Sequence, residues 1–161
     1  MAFLVLLALI LFFPVSVFAA FSFSISASDP ITISDISQEI LINFSLSNLP
    51  NPSYFRAAFQ KESGDAYFGQ IKNNSGDWVD IVALNGDCQN YYSVSDTSTT
   101  SFSIPLRVGS NTSPDPGPYL IKAHRFTQTA CSTTEAGNFL TADFVFPTST
   151  PTSIPTPKPS S

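Results

Sequence analysis

Apolar and polar residues alternate in several short segments after residue 20. The alternation starts in residues 21–26, FSFSIS, and a period of two is typical of a strand with one buried and one solvated face. It recurs in residues 39–47 and 100–108, and further strands are predicted at residues 53–61, 65–72, 78–84, 119–127 and 138–146. No helical period of 3.6 residues persists for ten residues in this part of the chain. The pattern therefore predicts an all-β domain.

Turn-forming residues separate these segments at short, regular intervals. The clusters NLPNP at residues 48–52 and NNSGD at residues 73–77 join successive strands. Seven to nine short strands with such spacing indicate an antiparallel β-sandwich. Residues 85–100 are polar and irregular, and we expect a loop there. Pro105 falls inside a predicted strand, which favours an edge or a bulge at that point.

One strand, residues 53–61, fixes the expected direction of its side chains. Alternation directs Phe55, Ala57 and Phe59 towards the core. The other face carries Tyr54, Arg56 and Gln60, which we expect to face outward.

Residues 1–19 have the pattern of a signal peptide. An apolar run from Phe3 to Phe13 is broken by Pro14, and small residues at Val17 and Ala19 favour cleavage after Ala19. The alternative is an uncleaved N-terminal anchor, because the run and its flank nearly span a bilayer. Membrane contact is expected only through this segment, if it is not cleaved.

The last fifteen residues differ in composition from the rest. Residues 147–161 contain 13 Pro, Ser or Thr residues, which bury too little apolar surface to fold. We predict a disordered linker or stalk there, following a single folded domain at residues 20–146.

Composition limits the classes of partner. The 161 residues include 15 Phe and carry a formal net charge of −5. An acidic chain repels a phosphate backbone, so we expect no nucleic-acid partner.

The chain contains two cysteines, Cys88 and Cys131. In an exported chain an even pair indicates one structural disulfide, and we expect these two to be joined. A metal site requires more ligands, and a redox pair is normally closer in sequence.

The stretch Asp115-Pro116-Gly117-Pro118-Tyr119 has the form D-x-G-x-Y. This resembles the corner at which immunoglobulin-type sandwiches enter one strand, where a buried tyrosine bonds back to the backbone. Asp115, Gly117 and Tyr119 are thus the predicted structural corner. Ile121 stands where an antibody domain has cysteine, and the strand at 53–61 has no tryptophan. The chain is therefore similar to fibronectin-III or bacterial immunoglobulin-like domains.

A narrower resemblance covers residues 59–80, FQKESGDAYFGQIKNNSGDWVD. This segment is similar to one in secreted bacterial surface proteins that carry a lamin-tail domain downstream. The resemblance implies a non-catalytic cell-surface module, although the sequence contains no lamin-tail segment.

Residues for catalysis or metal binding are sparse. The single histidine, His124, is expected to face solvent, without the spacing of a catalytic triad. Asp65, Asp77 and Asp80 flank one hairpin, and their spacing favours turn chemistry over a calcium site. We predict no catalytic residue, no metal ligand and no cofactor.

Four aromatic residues remain as candidates for ligand stacking. They are Tyr67, Trp78, Tyr91 and Tyr92. Exposed together, such rings stack on sugars. The favoured interpretation is that Trp78 packs against Tyr67 across a hairpin.

These features predict a non-catalytic immunoglobulin-like module, secreted or at the cell surface, with a structural, adhesive or protein-interaction role. The alternative is a carbohydrate-binding module that uses aromatics around Trp78. The expected partner is an unidentified protein or glycan at the cell surface.

Overall fold

A computed structural model describes residues 19–62, 64, 66–82 and 87–146, and these form two packed β-sheets. The prediction of an all-β domain with packed sheets is confirmed. The strands are β1 Ser22–Ser26, β2 Ile31–Ile33, β3 Ile40–Ser47, β4 Ser53–Lys61, β5 Tyr67–Phe68, β6 Gln70–Lys72, β7 Trp78–Asp80, β8 Tyr92–Val94, β9 Ser101–Arg107, β10 Gly117–Thr127, β11 Thr133–Glu135 and β12 Leu140–Phe144. A 3₁₀ turn, η1, spans Cys88–Asn90. The predicted C-terminal tail, and the predicted signal peptide apart from Ala19, lie outside the described residues.

The first sheet, sheet A, has five strands in the order β1-β3-β9-β6-β7, all antiparallel. The second, sheet B, has seven strands along the order β2-β12-β10-β4-β5, with β8 beside β4 and β11 beside β10. Its longest pairing joins β4 to β10 over nine residues of register. Among the strands of the described residues, β2 and β12 form the one parallel pair. No helix in the described ranges has the length and apolar character needed to cross a membrane.

Phenylalanine rings fill much of the space between the sheets. Phe44 of sheet A stacks on Phe102 with ring centroids 4.8 Å apart. Phe55 of sheet B meets both rings edge-on, at 5.9 Å and 5.1 Å. Burying one such side chain contributes roughly 1.5–3 kcal/mol. The phenylalanine-rich composition is therefore used chiefly to join the two sheets.

The predicted strand at residues 65–72 is divided by Gly69 into β5 of sheet B and β6 of sheet A. Gly69 has φ +112°, and a Cβ there would lie 2.9 Å from the carbonyl oxygen of Arg107. Only glycine combines this conformation with so close an approach. The chain crosses between sheets at this residue, which the alternation alone did not indicate.

Two further expectations require correction, and the expected edge at Pro105 is found only locally. The described residues contain twelve strands rather than seven to nine, because short segments such as β2 and β11 also pair. The predicted loop at 85–100 contains η1 and β8. Pro105 lies in β9, an internal strand, although β6 pairs with β9 only at Leu106 and Arg107. At Pro105, β9 is thus paired with β3 alone. A strand open on one side tolerates proline, because no hydrogen bond from a backbone N–H is required on the open side.

Candidate binding surface

Sheet B carries a second buried cluster on the face turned away from sheet A. We call it the outer cluster, and it consists of Arg56, Tyr67, Tyr91, His124 and Phe126. Arg56 of β4 and His124 of β10 are directly opposite in the β4–β10 register. Arg56 was predicted to face outward and His124 to face solvent. Both lie on the side of sheet B away from sheet A, as the alternation indicates, but the expected exposure is wrong: Arg56 is 0% exposed and His124 is 1% exposed.

Arg56 is held by hydrogen bonds and by aromatic rings. Its Nη1 donates to the carbonyl oxygen of Val82 at 2.6 Å and to the Tyr91 hydroxyl at 2.8 Å. The guanidinium carbon lies 5.2–5.4 Å from the ring centroids of Tyr67, Tyr91 and Phe126. Burial lowers the pKa of Arg56, while Tyr91 acts in the opposite direction. Cation–π contacts are strongest where water is excluded. Arg56 therefore binds Val82 and Tyr91 to the outer face of sheet B.

His124 is buried because the rings of the outer cluster cover it. The Tyr67 ring meets it edge-on with centroids 4.8 Å apart. Burial, and then the positive charges of Arg56 and Lys122, lower the pKa of His124 to about 3. Its Nε2 is 3.9 Å from the Glu135 carboxylate, beyond hydrogen-bond distance. The imidazole is therefore neutral at neutral pH and closed to a substrate.

The disulfide closes the same side of sheet B. Cys88 and Cys131 are bonded, with Cα atoms 5.8 Å apart, so the predicted bridge is confirmed. Cys88 belongs to η1, and Cys131 lies in the loop between β10 and β11. The bridge therefore holds the segment carrying Tyr91 against the outer cluster.

The four candidate stacking rings lie in different parts of the molecule. Tyr67 and Tyr91 belong to the outer cluster, and Tyr91 is 2% exposed. Tyr92 stacks on Phe102 with centroids 5.2 Å apart. Trp78 is in sheet A, whereas Tyr67 is in sheet B. The predicted packing of Trp78 against Tyr67 is therefore wrong, and the rings do not share one surface.

Trp78 is instead covered by cationic side chains on the outer face of sheet A. The guanidinium carbon of Arg107 lies 3.9 Å from the centroid of its ring, and Lys72 Nζ lies 4.8 Å from it. Lys72 is directly opposite Trp78 in the β6–β7 register. Planar guanidinium groups stack well on indole, so the ring orients Arg107.

A row of hydrogen bonds across three strands holds Arg107 from its other side. Its Nε donates to Gln70 Oε1 at 2.8 Å. Gln70 Nε2 donates to Asp80 Oδ1 at 2.8 Å, and Asn111 Nδ2 donates to Asp80 Oδ2 at 2.9 Å. Asp80 is thus occupied by amide donors. This arrangement fixes Nε of Arg107, and its two terminal nitrogens have no hydrogen-bond partner among the described residues.

Arg107 also lines a small cavity of about 130 Å³, which we call the Arg107 pocket. The other lining residues are Ile36, Ser37, Gly109 and Ser110. Lys61, Lys72 and Lys122 each lie within 3.8 Å of a carboxylate oxygen. Among the solvent-accessible cations of the described residues, Arg107 alone has no ion pair of this kind.

Beyond Pro105 and the exposed Leu41 that pairs with it, the outer face of sheet A carries an uncharged polar surface, which we call the serine face. It comprises Ser22, Ser24, Ser26, Asn43, Ser45, Ser47, Ser101 and Ser103. The strand register places these side chains in rows, such as Ser24–Ser45–Ser101. One hydrogen bond within it joins Ser103 Oγ to Asn43 Oδ1 at 2.7 Å. The face therefore presents many hydroxyl groups for further hydrogen bonds.

The corner residues meet at the start of β10. The hydroxyl of buried Tyr119 donates to the carbonyl oxygen of Asp115 at 3.1 Å. Gly117 has φ +135° with open space around its Cβ position, so the backbone conformation rather than crowding selects glycine. Lys61 Nζ lies 3.4 Å from the Asp115 carboxylate.

The hairpin carboxylates form no cluster with metal-binding geometry in the part of the chain that the structure describes. Asp65 lies outside that part, Asp77 is exposed, and Asp80 accepts the amide hydrogen bonds described above.

Comparison with known proteins gives distant structural likenesses. No family model and no curated protein sequence matches the chain. A structure from studies of the aggregative adherence fimbriae of enteroaggregative Escherichia coli is 16% identical with TM-score 0.44, covering 79% of this chain and 100% of that one. The major subunit of aggregative adherence fimbriae type I from Escherichia coli is 11% identical with TM-score 0.37, covering 81% and 98%.

A family 123 glycoside hydrolase from Clostridium perfringens is 10% identical with TM-score 0.38, covering 80% of this chain and 28% of that one. None of these likenesses assigns a family or a function to the chain. The resemblance to surface proteins with lamin-tail domains stays a prediction.

Proposed function

We propose that residues 20–146 form an immunoglobulin-like module that acts outside the cell in a structural or adhesive role, without catalysis. The observation that carries the immunoglobulin-like assignment is the strand order. In the lettering of such sandwiches, β1, β3, β9 and β6 of sheet A take the places of strands A, B, E and D. In sheet B, β12, β10, β4 and β5 take those of G, F, C and C′, with β2 beside G.

The hydrogen bond at Tyr119 supports the same assignment. It joins the Tyr119 hydroxyl, near the start of the F-like strand β10, to the Asp115 carbonyl oxygen four residues upstream, as in a tyrosine corner. The buried ring also stacks on Phe144 with centroids 4.3 Å apart. The corner thus connects the turn to the core.

The Cys88–Cys131 disulfide supports a location outside the cytoplasm. Disulfides persist in oxidising compartments and are rare where thiols are kept reduced. The predicted signal peptide at residues 1–19 provides the route, and the Pro/Ser/Thr-rich residues 147–161 are suited to hold the module away from a surface.

A non-catalytic role is favoured by the state of the histidine. His124 is buried and neutral, and no hydroxyl or thiol of the described residues hydrogen-bonds to it. The division of the four aromatic rings between two sheets likewise disfavours a sugar-stacking platform made from them.

Surface labelling of the source cells tests the proposed location. Intact cells are treated with a membrane-impermeant lysine reagent, and the protein is then isolated for mass spectrometry. Labelling at Lys61, which is 57% exposed, is expected without cell lysis. Labelling that requires lysis would contradict display or secretion. A known cytoplasmic protein in the same sample is the control for leakage.

A further inference from the structure

We propose that β7, at one edge of sheet A, is an interaction surface whose partner is β7 of a second copy of this chain. The two strands run antiparallel with Val79 of one copy opposite Val79 of the other, so that two copies of sheet A join into one continuous sheet. The pairing goes beyond the proposed extracellular role, because it is a property of residues 20–146 wherever the protein is located.

The first argument is the direction of the backbone groups in the β6–β7 hairpin. Asn73 N–H donates to the Asp77 carbonyl oxygen, and Ile81 N–H donates to the Gly69 carbonyl oxygen, each at 2.9 Å. In an antiparallel pair the residues that exchange hydrogen bonds alternate with those that do not. Val79, midway between these two bonds, is therefore bonded to β6.

The residues on either side of Val79 point their backbone groups the other way. The N–H and C=O groups of Trp78 and Asp80 face away from β6, at the open edge of the sheet. None of these groups has a hydrogen bond to another described residue. They are free to bond to a further strand, which is the usual hazard of an open edge.

Three other edge strands are closed by side-chain amides. In each case the amide oxygen accepts a backbone N–H and the amide nitrogen donates to a backbone carbonyl, over 2.5–3.0 Å. The pairs are Asn138 with Ile25 of β1, Gln38 with Thr32 and Ser34 at β2, and Asn74 with Ser93 of β8. A strand from another molecule has to displace these amides, whereas at β7 it displaces no protein group of the described residues.

Two further edge strands of the described residues, β5 and β11, have no such amide. β5 contains two residues. The three residues of β11 are threonine, threonine and glutamate, all exposed, and Glu135 pairs with Lys122. Charged and polar side chains of this kind discourage edge pairing. β7 is therefore the open edge that offers both three residues and apolar side chains.

A second copy of the chain fits this edge because the edge is complementary to itself. With Val79 at a twofold axis, Trp78 of each copy lies opposite Asp80 of the other. The outward N–H and C=O groups of these residues then exchange hydrogen bonds across both pairs. Such an isologous contact uses up the edge of each copy, so it gives a dimer and not a filament.

The side chains of β7 favour the same partner. Val79 is partly buried against the core, so two valines meet at the axis on the inner face. On the outer face, Asp80 of one copy comes beside Trp78 of the other. Arg107 and Lys72 lie 3.9 Å and 4.8 Å from the centroid of the Trp78 ring. The carboxylate is thus placed on the side of cations, in a pair of chains that each carry a net charge of −5.

The shortness of β7 limits the strength of the pairing. Stable complexes bury about 800 Å² on each partner, which is more than a strand of three residues supplies. We expect a dissociation constant of about 1 mM in solution. Chains held close together on one surface would pair more readily, because their effective concentration is higher.

The first test follows backbone N–H signals by NMR as the concentration of residues 20–161 rises from micromolar to millimolar. The signals of Trp78 and Asp80 are expected to shift with concentration. Those of Thr133 and Glu135, at the open polar edge β11, are the control and should stay in place. Constant signals at Trp78 and Asp80, or equal shifts at β11, would overturn the proposal.

The second test traps the pair covalently. Opposed residues that do not exchange hydrogen bonds have Cα atoms about 4.5 Å apart, within the range that a disulfide spans. Val79→Cys is therefore expected to form a covalent dimer under mild oxidation. Thr32→Cys is the matched control, since it is the exposed central residue of β2, a three-residue edge strand that Gln38 closes.

The Val79→Cys dimer is expected to form about tenfold faster than the Thr32→Cys dimer, because pairing raises the effective concentration of the two thiols. Peptide mapping without reduction checks that Cys88 and Cys131 remain joined in both variants. An equal or slower rate for Val79→Cys would contradict the register. The NMR measurement on the parent chain does not depend on how well either variant folds.

A charge variant tests the choice of a second copy over a peptide from another protein. Asp80→Asn is expected to weaken self-association about twofold to fivefold, as for one exposed charge interaction. Asp143→Asn, at an exposed position of β12 in sheet B, removes the same charge and should pair at least as tightly as the parent. The same affinity in both variants, or sedimentation showing species larger than a dimer, would contradict the proposal. These measurements use purified protein, so their outcome is independent of the labelling of intact cells.

Discussion

The side-chain amide of Asn138 makes two hydrogen bonds with the backbone of Ile25, each 2.8 Å long. Ile25 N–H donates to Asn138 Oδ1, and Asn138 Nδ2 donates to the Ile25 carbonyl oxygen. Gly137 N–H adds a bond to the Phe23 carbonyl oxygen at 3.0 Å. These are the groups of β1, at the edge of sheet A, that a further strand would use. Open edges promote association, and Asn138 closes this one.

Asn138→Ala is expected to destabilise the domain by roughly 1–2 kcal/mol, because two backbone groups lose their partner. The exchange of the Ile25 amide with solvent should accelerate more than that of the core amides. Hydrogen-exchange NMR measures this directly. Asn51→Ala, at an exposed turn position, is the control and should leave the exchange of Ile25 unchanged. Unaltered protection of Ile25 in Asn138→Ala would contradict the role of the amide.

His124 is expected to make stability depend on pH. Its pKa is about 3 in the folded state against an ordinary value of 6.5, so between these values the unfolded chain binds the proton more readily. Stability is therefore highest above pH 6.5 and falls as the pH drops towards 3, by up to roughly 1.4 kcal/mol per pH unit.

Urea unfolding of the parent and of His124→Leu, at pH 7.5 and pH 4.5, measures the contribution of this one residue. The parent is expected to lose more stability than the variant over that interval. The comparison cancels the titration of the carboxylates, which both proteins share. The same loss in both proteins would show that the imidazole is protonated in the folded state.

Removal of the disulfide is expected to weaken the domain substantially. Cys88 and Cys131 are 43 residues apart, and closing a loop of that size contributes about 4 kcal/mol in the chain-entropy treatment. Urea unfolding of Cys88→Ala/Cys131→Ala compares this directly with the parent. NMR signals of Tyr91 and Arg56 should broaden or shift more than those of Phe44, because the bridge supports the outer cluster. A loss below about 1 kcal/mol would show that the bridge is dispensable.

Tyr119→Phe tests the corner separately from the ring packing. The hydroxyl bonded to Asp115 is removed, and a loss of about 1 kcal/mol is expected. Tyr54 is half-buried and its hydroxyl has no hydrogen bond within the described residues, so Tyr54→Phe is expected to change stability by less than about 0.5 kcal/mol. Chemical denaturation measures both. Equal losses would assign the effect to the aromatic ring environment instead of the corner bond.

The strands with one solvated face could be predicted from the sequence, since alternation records which face is buried. Residues Phe23 and Ile25 of β1, and Ile42, Phe44 and Leu46 of β3, are buried as their positions indicate. The disulfide followed from counting cysteines in a chain expected to be exported. These inferences need only local sequence patterns, because each residue that faces the core must be apolar.

The outer cluster could not be predicted. Alternation indicates which side of a sheet a residue faces, but not whether another segment of the chain covers that side. Arg56 and His124 do lie on the side opposite the core, but the segment held by Cys88 makes that side a second interior. The adjacent small residues Ala57 and Ala58, both fully buried, are the one local sign that β4 is covered on both faces.

The surroundings of Trp78 depend equally on contacts distant in sequence. Its neighbour Arg107 is brought to it by the pairing of β6 with both β7 and β9. The sheet change at Gly69 separates Trp78 from Tyr67, which a simple hairpin would have joined. A glycine inside a predicted strand was the available signal for this change.

The Cys88–Cys131 disulfide and the proposed export of the domain can be tested together. The most direct measurement is mass spectrometry of the protein from its native source, alkylated before lysis and digested without reduction. The account predicts one peptide pair linked through Cys88 and Cys131, and a mature N-terminus at Ala20. Two alkylated cysteines together with an intact Met1 would contradict it.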